Sequence, residues 1–338
     1  MRPMRQSPGP LRTAHRHMDH SVGQDGQAVH VVVTCTNRKR IAVADELRVR
    51  NVLARDVDER CDQWVRHIST APAQVPASDM YAGEHWLIAR RLAEIVGEKA
   101  TLWVCSAGYG LIPVTTPIAP YAATFALGHG DSVAANAEGA RRWWARLSRW
   151  VGPQRDQPRS FVALAARDPD ATIIAVLSDP YLKACSTDLR GATSVLSDGD
   201  SLSVIGPAGR CPEIDDLMVP VTAALRAMVG GSLLSLNVRA AEYVLKESAL
   251  RGDALQRPLL AKIMRDVIAS VPDAPYKPAG TRMTDDEVRV FIRSRLEFGP
   301  TSATPLLREL RSSGRSCEHA RFRNLFVEES RAAAGEWG

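Results

Sequence analysis

The residues best suited to chemistry crowd into one stretch. Thr101-Leu102-Trp103-Val104-Cys105-Ser106-Ala107-Gly108-Tyr109-Gly110 is followed by Tyr121-Ala122-Ala123-Thr124-Phe125 and then by Asp131-Ser132. Tyr109, Tyr121 and Phe125 offer flat faces, while Ser106, Thr124, Asp131 and Ser132 offer hydrogen bonds. That is the composition of a pocket for a flat polar ring such as a nucleobase. The same types also suit an ordinary loop with its rings packed inward. Polar groups stand at the ends of other apolar runs too. Asn37, Arg38 and Lys39 follow the run 30–36, and Asp179 follows the run 172–177. Arg38 and Lys39 suit a phosphate or a solvated turn. Asp179 suits a helix cap or a place in the pocket. His85, within Tyr81-Ala82-Gly83-Glu84-His85-Trp86, suits donation to a substrate or a structural place in the first turn of a helix.

Strands and helices must bring these groups together. Apolar, β-branched runs predict strands at 30–36, 102–105, 172–177 and 201–205. Helical patterns cover 47–53, 57–68, 81–97, 132–151, a segment through Leu250, and 259–271. Alternation of this kind predicts an α/β fold, a parallel sheet with helices on both faces. Ligands of such sheets sit at the carboxyl ends of the strands. With 338 residues, two domains are expected. The reading is a disordered basic tail over 1–29, an α/β catalytic domain over 30–240, a helical connector and proline-rich linker over 241–280, and a helical module over 281–338.

Two segments read as nucleic-acid surfaces. The helix at 132–151 interleaves Arg142, Arg146 and Arg149 with Trp143 and Trp150, and Asp156 is the one acid between Arg141 and Arg159. Arginines neutralise phosphates and rings stack or wedge; the alternative is tryptophans packed under a loop. In the last module, Thr284 with Glu287 forms a capping box. Thr304 precedes Pro305 at the start of a second helix, and Ser316 caps a third helix from Cys317. Helix, glycine turn and helix is a helix-turn-helix layout, with Arg315, His319, Arg321 and Arg323 as the DNA-facing side chains. A dimerisation or packing module is the alternative.

Composition narrows the rest. Net charge is +5, with 45% hydrophobic and 24% charged residues. No apolar run approaches the roughly 20 residues that span a bilayer, and no secretory signal pattern opens the chain. Six scattered cysteines without a C-x-x-C pair argue against structural zinc and for reduced thiols in the cytoplasm. No metal site and no cofactor is expected.

The stretches Thr34-Cys35-Thr36-Asn37-Arg38-Lys39, Tyr81 to Trp86, Ser106-Ala107-Gly108-Tyr109-Gly110-Leu111-Ile112, Tyr121 to Phe125 and Asp131-Ser132-Val133 resemble a bacterial family of uncharacterised proteins. That family is similar to the tRNA-guanine transglycosylase-associated and peroxide-stress-protein groups. The resemblance covers roughly residues 30–240, an extent that fits the αβα unit. It implies a core similar to uracil-DNA glycosylases, and its nearest functional counterpart is a phage-defence DNA glycosylase that excises glucosylated hydroxymethylcytosine. The water-activating Asp-Pro-Tyr of such glycosylases follows their first strand. Here Asn37 stands there, and Asp179-Pro180-Tyr181 follows a later strand.

The resulting expectation is a DNA glycosylase acting on double-stranded DNA, with modified phage bases as its targets. A carboxylate stabilises the oxocarbenium-like sugar and orients water, with Asp131 the first choice and Asp179 the second. Asn37 and Ser106 hold the base edge or the water. Tyr109 and Phe125 stack on an extruded base, Tyr121 and Thr124 complete the pocket, and His85 stabilises the leaving base. The competing classes are a DNA-binding regulator that senses a nucleotide and a base-exchange transglycosylase.

Overall fold

The computed structural model describes residues 27–73, 75–271, 280–297 and 302–335. Most of the basic tail and all but Gly280 of the proline-rich stretch 272–280 lie outside them. The chain divides into two compact units, Met1–Pro272 and Asp273–Gly338.

The first unit is built on a six-stranded sheet. Its strands are β1 (Val29–Thr34), β2 (Ala100–Ser106), β3 (Gly110–Pro113), β4 (Thr172–Val176), β5 (Leu202–Pro207) and β6 (Met218–Val221). Their order is β3-β2-β1-β4-β5-β6. Val31 of β1 lies opposite Leu102 of β2 and Ile174 of β4, both in parallel. Only the β2–β3 pair is antiparallel. Val31, Val32 and Val33, like Ile173 to Val176, are buried, because helices cover the sheet. Strands buried on both faces read as continuous apolar runs, which is why the inner strands are visible in the sequence. β3 and β6 are four residues long and carry Pro113 and Pro220, so neither declares itself.

The helices longer than four residues are α1 (Val57–Thr70), α2 (Glu84–Val96), α3 (Ala137–Leu147), α4 (Phe161–Arg167), α5 (Asp179–Thr193), α6 (Leu236–Arg251) and α7 (Arg257–Ser270). They form two packed groups: α2 with α6 and α7, and α1 with α3, α4 and α5. Val238, Val244, Leu260 and Met264 share the core of the sheet. Residues 241–271 therefore belong to the α/β unit and do not form a connector.

Three helix boundaries differ from expectation. Segment 47–53 forms two 3-10 turns, Asp45–Leu47 and Val49–Asn51. The helix expected from Tyr81 starts at Glu84, after Gly83 turns the chain at φ +99°. The helix expected from Ser132 starts at Ala137, because Asn136 caps it by accepting from the Gly139 amide at 2.8 Å.

The second unit contains α8 (Asp285–Leu296), α9 (Ala303–Ser312) and α10 (His319–Gly335). Thr284 and Glu287 form the capping box. α9 follows Ser302 instead of Thr304, and α10 begins two residues beyond Cys317. Thr281–Arg282 pairs in parallel with Arg315–Ser316. Val288, Phe291, Ile292, Leu306, Leu310 and Phe322 make the unit's own core. Among the described residues, no helix is long and apolar enough to cross a membrane.

Candidate functional site

Strand order reverses at β1. The chain leaves β1 for β2 on one side and later returns to β4 on the other. Splayed connections at such a switch point leave a crevice beyond the carboxyl ends of the two strands. A cavity of about 550 Å³ occupies that place. One wall is the end of β1, from Thr34 to Arg38. Facing it are Val176, Ser178, Pro180 and Tyr181. Gly83, Glu84 and His85 at the start of α2, with Ser232, Ser235 and Asn237 around the start of α6, close the remaining side.

The polar groups of this cavity are tightly assigned. Glu84 accepts from Ser235 Oγ at 2.7 Å, from Ser232 Oγ at 3.4 Å and from the Arg239 guanidinium. These donors hold its carboxyl at a pKa of about 2. Asn237 Nδ2 donates to the Leu177 carbonyl at 2.8 Å. Cys35 Sγ and Tyr181 Oη are hydrogen-bonded at 3.0 Å on the floor. Asp179 stands between the wall residues Ser178 and Pro180 without itself lining the cavity. Its Oδ2 accepts from Lys183 at 3.0 Å, whereas its Oδ1 is buried without a hydrogen-bond partner. The side chain as a whole is 38% exposed.

His85 packs on the end of β1. Its Nε2 lies 3.2 Å from the Thr34 carbonyl and 3.4 Å from Thr34 Oγ1. Burial lowers its pKa below the ordinary 6.5, against the carbonyls of Thr34 and Leu234 that raise it. The ring is neutral at pH 7. His30, on β1 with its ring against Trp103, is likewise lowered by burial despite Asp168 at 2.8 Å. The unfolded chain takes up protons at these two histidines before the folded chain does. Their stability is therefore present above pH 6.5 and lost as pH falls below it. The melting temperature should decline between about pH 7 and pH 5; a flat profile over that range would contradict the assignment.

Of the residues expected to form a site, Asn37, Arg38, His85 and Thr124 line this cavity. Asn37 and Arg38 are exposed at its lip. Thr124 Oγ1 accepts from the Ala126 amide at 3.1 Å. The other pocket residues lie elsewhere. The chain doubles back after Ser106 into the β2–β3 hairpin, which carries the central stretch into the core at the sheet edge. Tyr109 Oη accepts from the Ala119 amide at 3.1 Å, and Tyr121 Oη is bound to Ser106 Oγ at 2.6 Å and Tyr81 Oη at 2.9 Å. Phe125 packs edge-on against Tyr181, ring centroids 5.0 Å apart. All three rings are buried, and none of them, nor Ser106, lines the cavity, so they are not placed to stack on a base there.

Asp131 is corrected in the same way. It is not an N-cap, since α3 starts six residues later, and it does not line the cavity. Both oxygens are held by Arg50, at 2.7 Å from Nε and 2.5 Å from Nη2. This pair ties the 3-10 turn Val49–Asn51 to the loop after Thr124, and it depresses the Asp131 pKa chiefly through the Arg50 hydrogen bond. Asp131→Asn should therefore lower stability by about 1–3 kcal/mol, through a lost charged hydrogen bond, while leaving any activity of the cavity in place. Thermal melts would check this; an unchanged melting temperature would overturn it.

The basic surfaces are also partly neutralised. Lys39 turns inward, its Nζ donating to the Thr36 carbonyl at 2.6 Å, so it is not a phosphate contact. Trp143 and Trp144 are buried, and Trp143 Nε1 donates to the Ala107 carbonyl at 2.8 Å. Arg142 pairs with Asp56 and Asp58, and Arg146 with Asp62. The acids come from α1 and its N-cap Asp56, which the sequence order hides. Arg149 is exposed. In the second unit Arg321 pairs with Asp285, whereas Arg315 and Arg323 are exposed. Among the described residues, no group of three or more His, Cys, Asp or Glu is placed to hold a metal ion.

Fold and cavity together define a doubly wound α/β protein with a crevice at its switch point and a separate helical unit. Comparison of the chain with protein-family models, with curated proteins and with solved structures gave no match in any of the three.

Proposed function

We propose that the chain is a DNA N-glycosylase that takes a base into the switch-point cavity and cleaves its glycosidic bond. The observation that carries this reading is the cavity itself, in the position where open α/β sheets bind nucleotides, with Asp179 between its lining residues Ser178 and Pro180. In this reading the Asp179 carboxylate orients water and offsets positive charge on the sugar. It replaces Asp131 in that role. Glu84 has its oxygens engaged by Ser232, Ser235 and Arg239 and serves as a tether. Tyr181 and Asn237 hold the base, Asn37 and Arg38 meet the strand at the lip, and neutral His85 fixes the wall.

The core is read as similar to uracil-DNA glycosylases and the second unit as a helix-turn-helix. The exposed Arg315 and Arg323 beside the turn between α9 and α10 support contact with double-stranded DNA. The test is to incubate the full chain with DNAs carrying different bases, glucosylated hydroxymethylcytosine among them. Free base with abasic sites supports the reading. An exchanged base makes the protein a transglycosylase, and DNA binding without either product makes it a nucleotide-sensing regulator.

A further inference from the structure

Next to Thr36, a lining residue of the cavity, lies a cation that has no carboxylate partner among the described residues. Lys39 follows the end of β1, and its backbone bridges to Tyr81. Its ammonium donates to the Thr36 carbonyl and lies 4.4 Å from the centre of the Tyr121 ring and 5.6 Å from that of Tyr81. Both rings are fixed, by the Ser106–Tyr121–Tyr81 chain of hydroxyls. Burial pushes the Lys39 pKa down, and the opposing influences are Cys35 and Asp131. Asp131 is already committed to Arg50. Cys35 is a floor residue of the cavity, bonded to Tyr181, another floor residue.

A half-buried lysine whose ammonium is held, among the described residues, by a carbonyl and two ring faces is a poor structural device, because ring faces offset little of the lost hydration. It is a source of positive potential for the space lined by Cys35 and Tyr181, since partial burial limits its screening by water. We infer that Lys39 is a positioning residue for an anionic ring, and that its field favours negative charge on the base bound against Cys35 and Tyr181. This rests on the reading of the cavity as the place of base release. There the bond from the sugar's anomeric carbon to the base nitrogen breaks, and its electron pair leaves with the base. Water oxygen bonds to that carbon, its proton passes to the Asp179 carboxylate and then to solvent, and solvent protonates the departed base. Lys39 lowers the barrier by favouring the base anion formed in the first event.

The test separates this inference from the glycosylase reading by using a ligand that needs no reaction. Barbiturate is a pyrimidine ring that is an anion at neutral pH; uracil is its neutral counterpart. Calorimetry at pH 7 on the full chain should give at least about tenfold tighter binding of barbiturate than of uracil. Lys39→Met should erase that preference and Lys39→Arg should keep it. Equal binding of the two rings by the unaltered chain, or an unchanged preference in a folded Lys39→Met protein, would overturn the inference whether or not any base is released from DNA. Where base is released, Lys39→Met should slow cytosine more than 5-fluorocytosine, the better leaving group. A uniform slowing of both would reduce Lys39 to a ring anchor.

Discussion

Asp179→Asn should reduce base release by about 10²–10⁴-fold, the range that a positioned acid–base group contributes, and leave the melting temperature close to that of the unaltered protein. The substitution keeps the shape of the side chain and one acceptor oxygen. It removes the charge needed beside a cationic sugar and the acceptor needed for the water proton. Little stability goes with it. The Lys183–Asp179 pair is spaced i,i+4 along α5 and both side chains are 38% exposed; pairs of that kind contribute about 0.3–0.5 kcal/mol. Single-turnover base release and a thermal melt on one preparation decide the matter. Full activity in Asp179→Asn would remove this carboxylate from the mechanism.

A large effect on stability is expected at a residue with no side chain. A Cβ at Gly108 would sit 2.4 Å from Cδ2 and 2.5 Å from Cε2 of Tyr121, with Trp64 at 3.3 Å. Tyr121 cannot swing aside without breaking its bonds to Ser106 and Tyr81. Trp64 is held too, its Nε1 donating to the Gly108 carbonyl at 2.8 Å. Gly108→Ala should therefore cost about 1–3 kcal/mol as overpacking, seen as a melting temperature lower by roughly 2–10 °C. A melting temperature within a degree of the unaltered protein would mean that the cage of Tyr121, Tyr81 and Trp64 is looser than its hydrogen bonds imply.

That glycine also explains why the most conspicuous stretch of the sequence is not the cavity. Ser106 to Phe125 has the residue types of a binding site, but Tyr109 and Tyr121 spend their hydroxyls on Ala119, Ser106 and Tyr81 inside the core. Composition cannot distinguish a ring that awaits a ligand from one already satisfied by its neighbours. The inner strands were legible because burial on both faces leaves an apolar run at 30–36, at 102–105 and at 172–177. Their spatial order was not, because parallel pairing is made between residues far apart in the chain, such as Val31 with Ile174. That order brings Asn37, His85 and Asp179 to one end of the sheet and takes Asp131 away to Arg50. Glu84, Ser232, Ser235 and Asn237 gave no signal in the sequence, since each acts through partners supplied by another element. Likewise the arginines of α3 look free in the sequence, yet α1 and its N-cap Asp56 provide acids for Arg142 and Arg146.

The central claim is that a base enters the crevice between the ends of β1 and β4. A crystal structure of the Asp179→Asn protein with a DNA oligonucleotide from which the unaltered protein releases base tests it most directly. The account predicts an extruded base against Cys35 and Tyr181, with its sugar beside residue 179 and the strand passing Asn37 and Arg38. A base bound instead beside Asp131, or stacked on Tyr109 in the hollow next to Trp150, would contradict it.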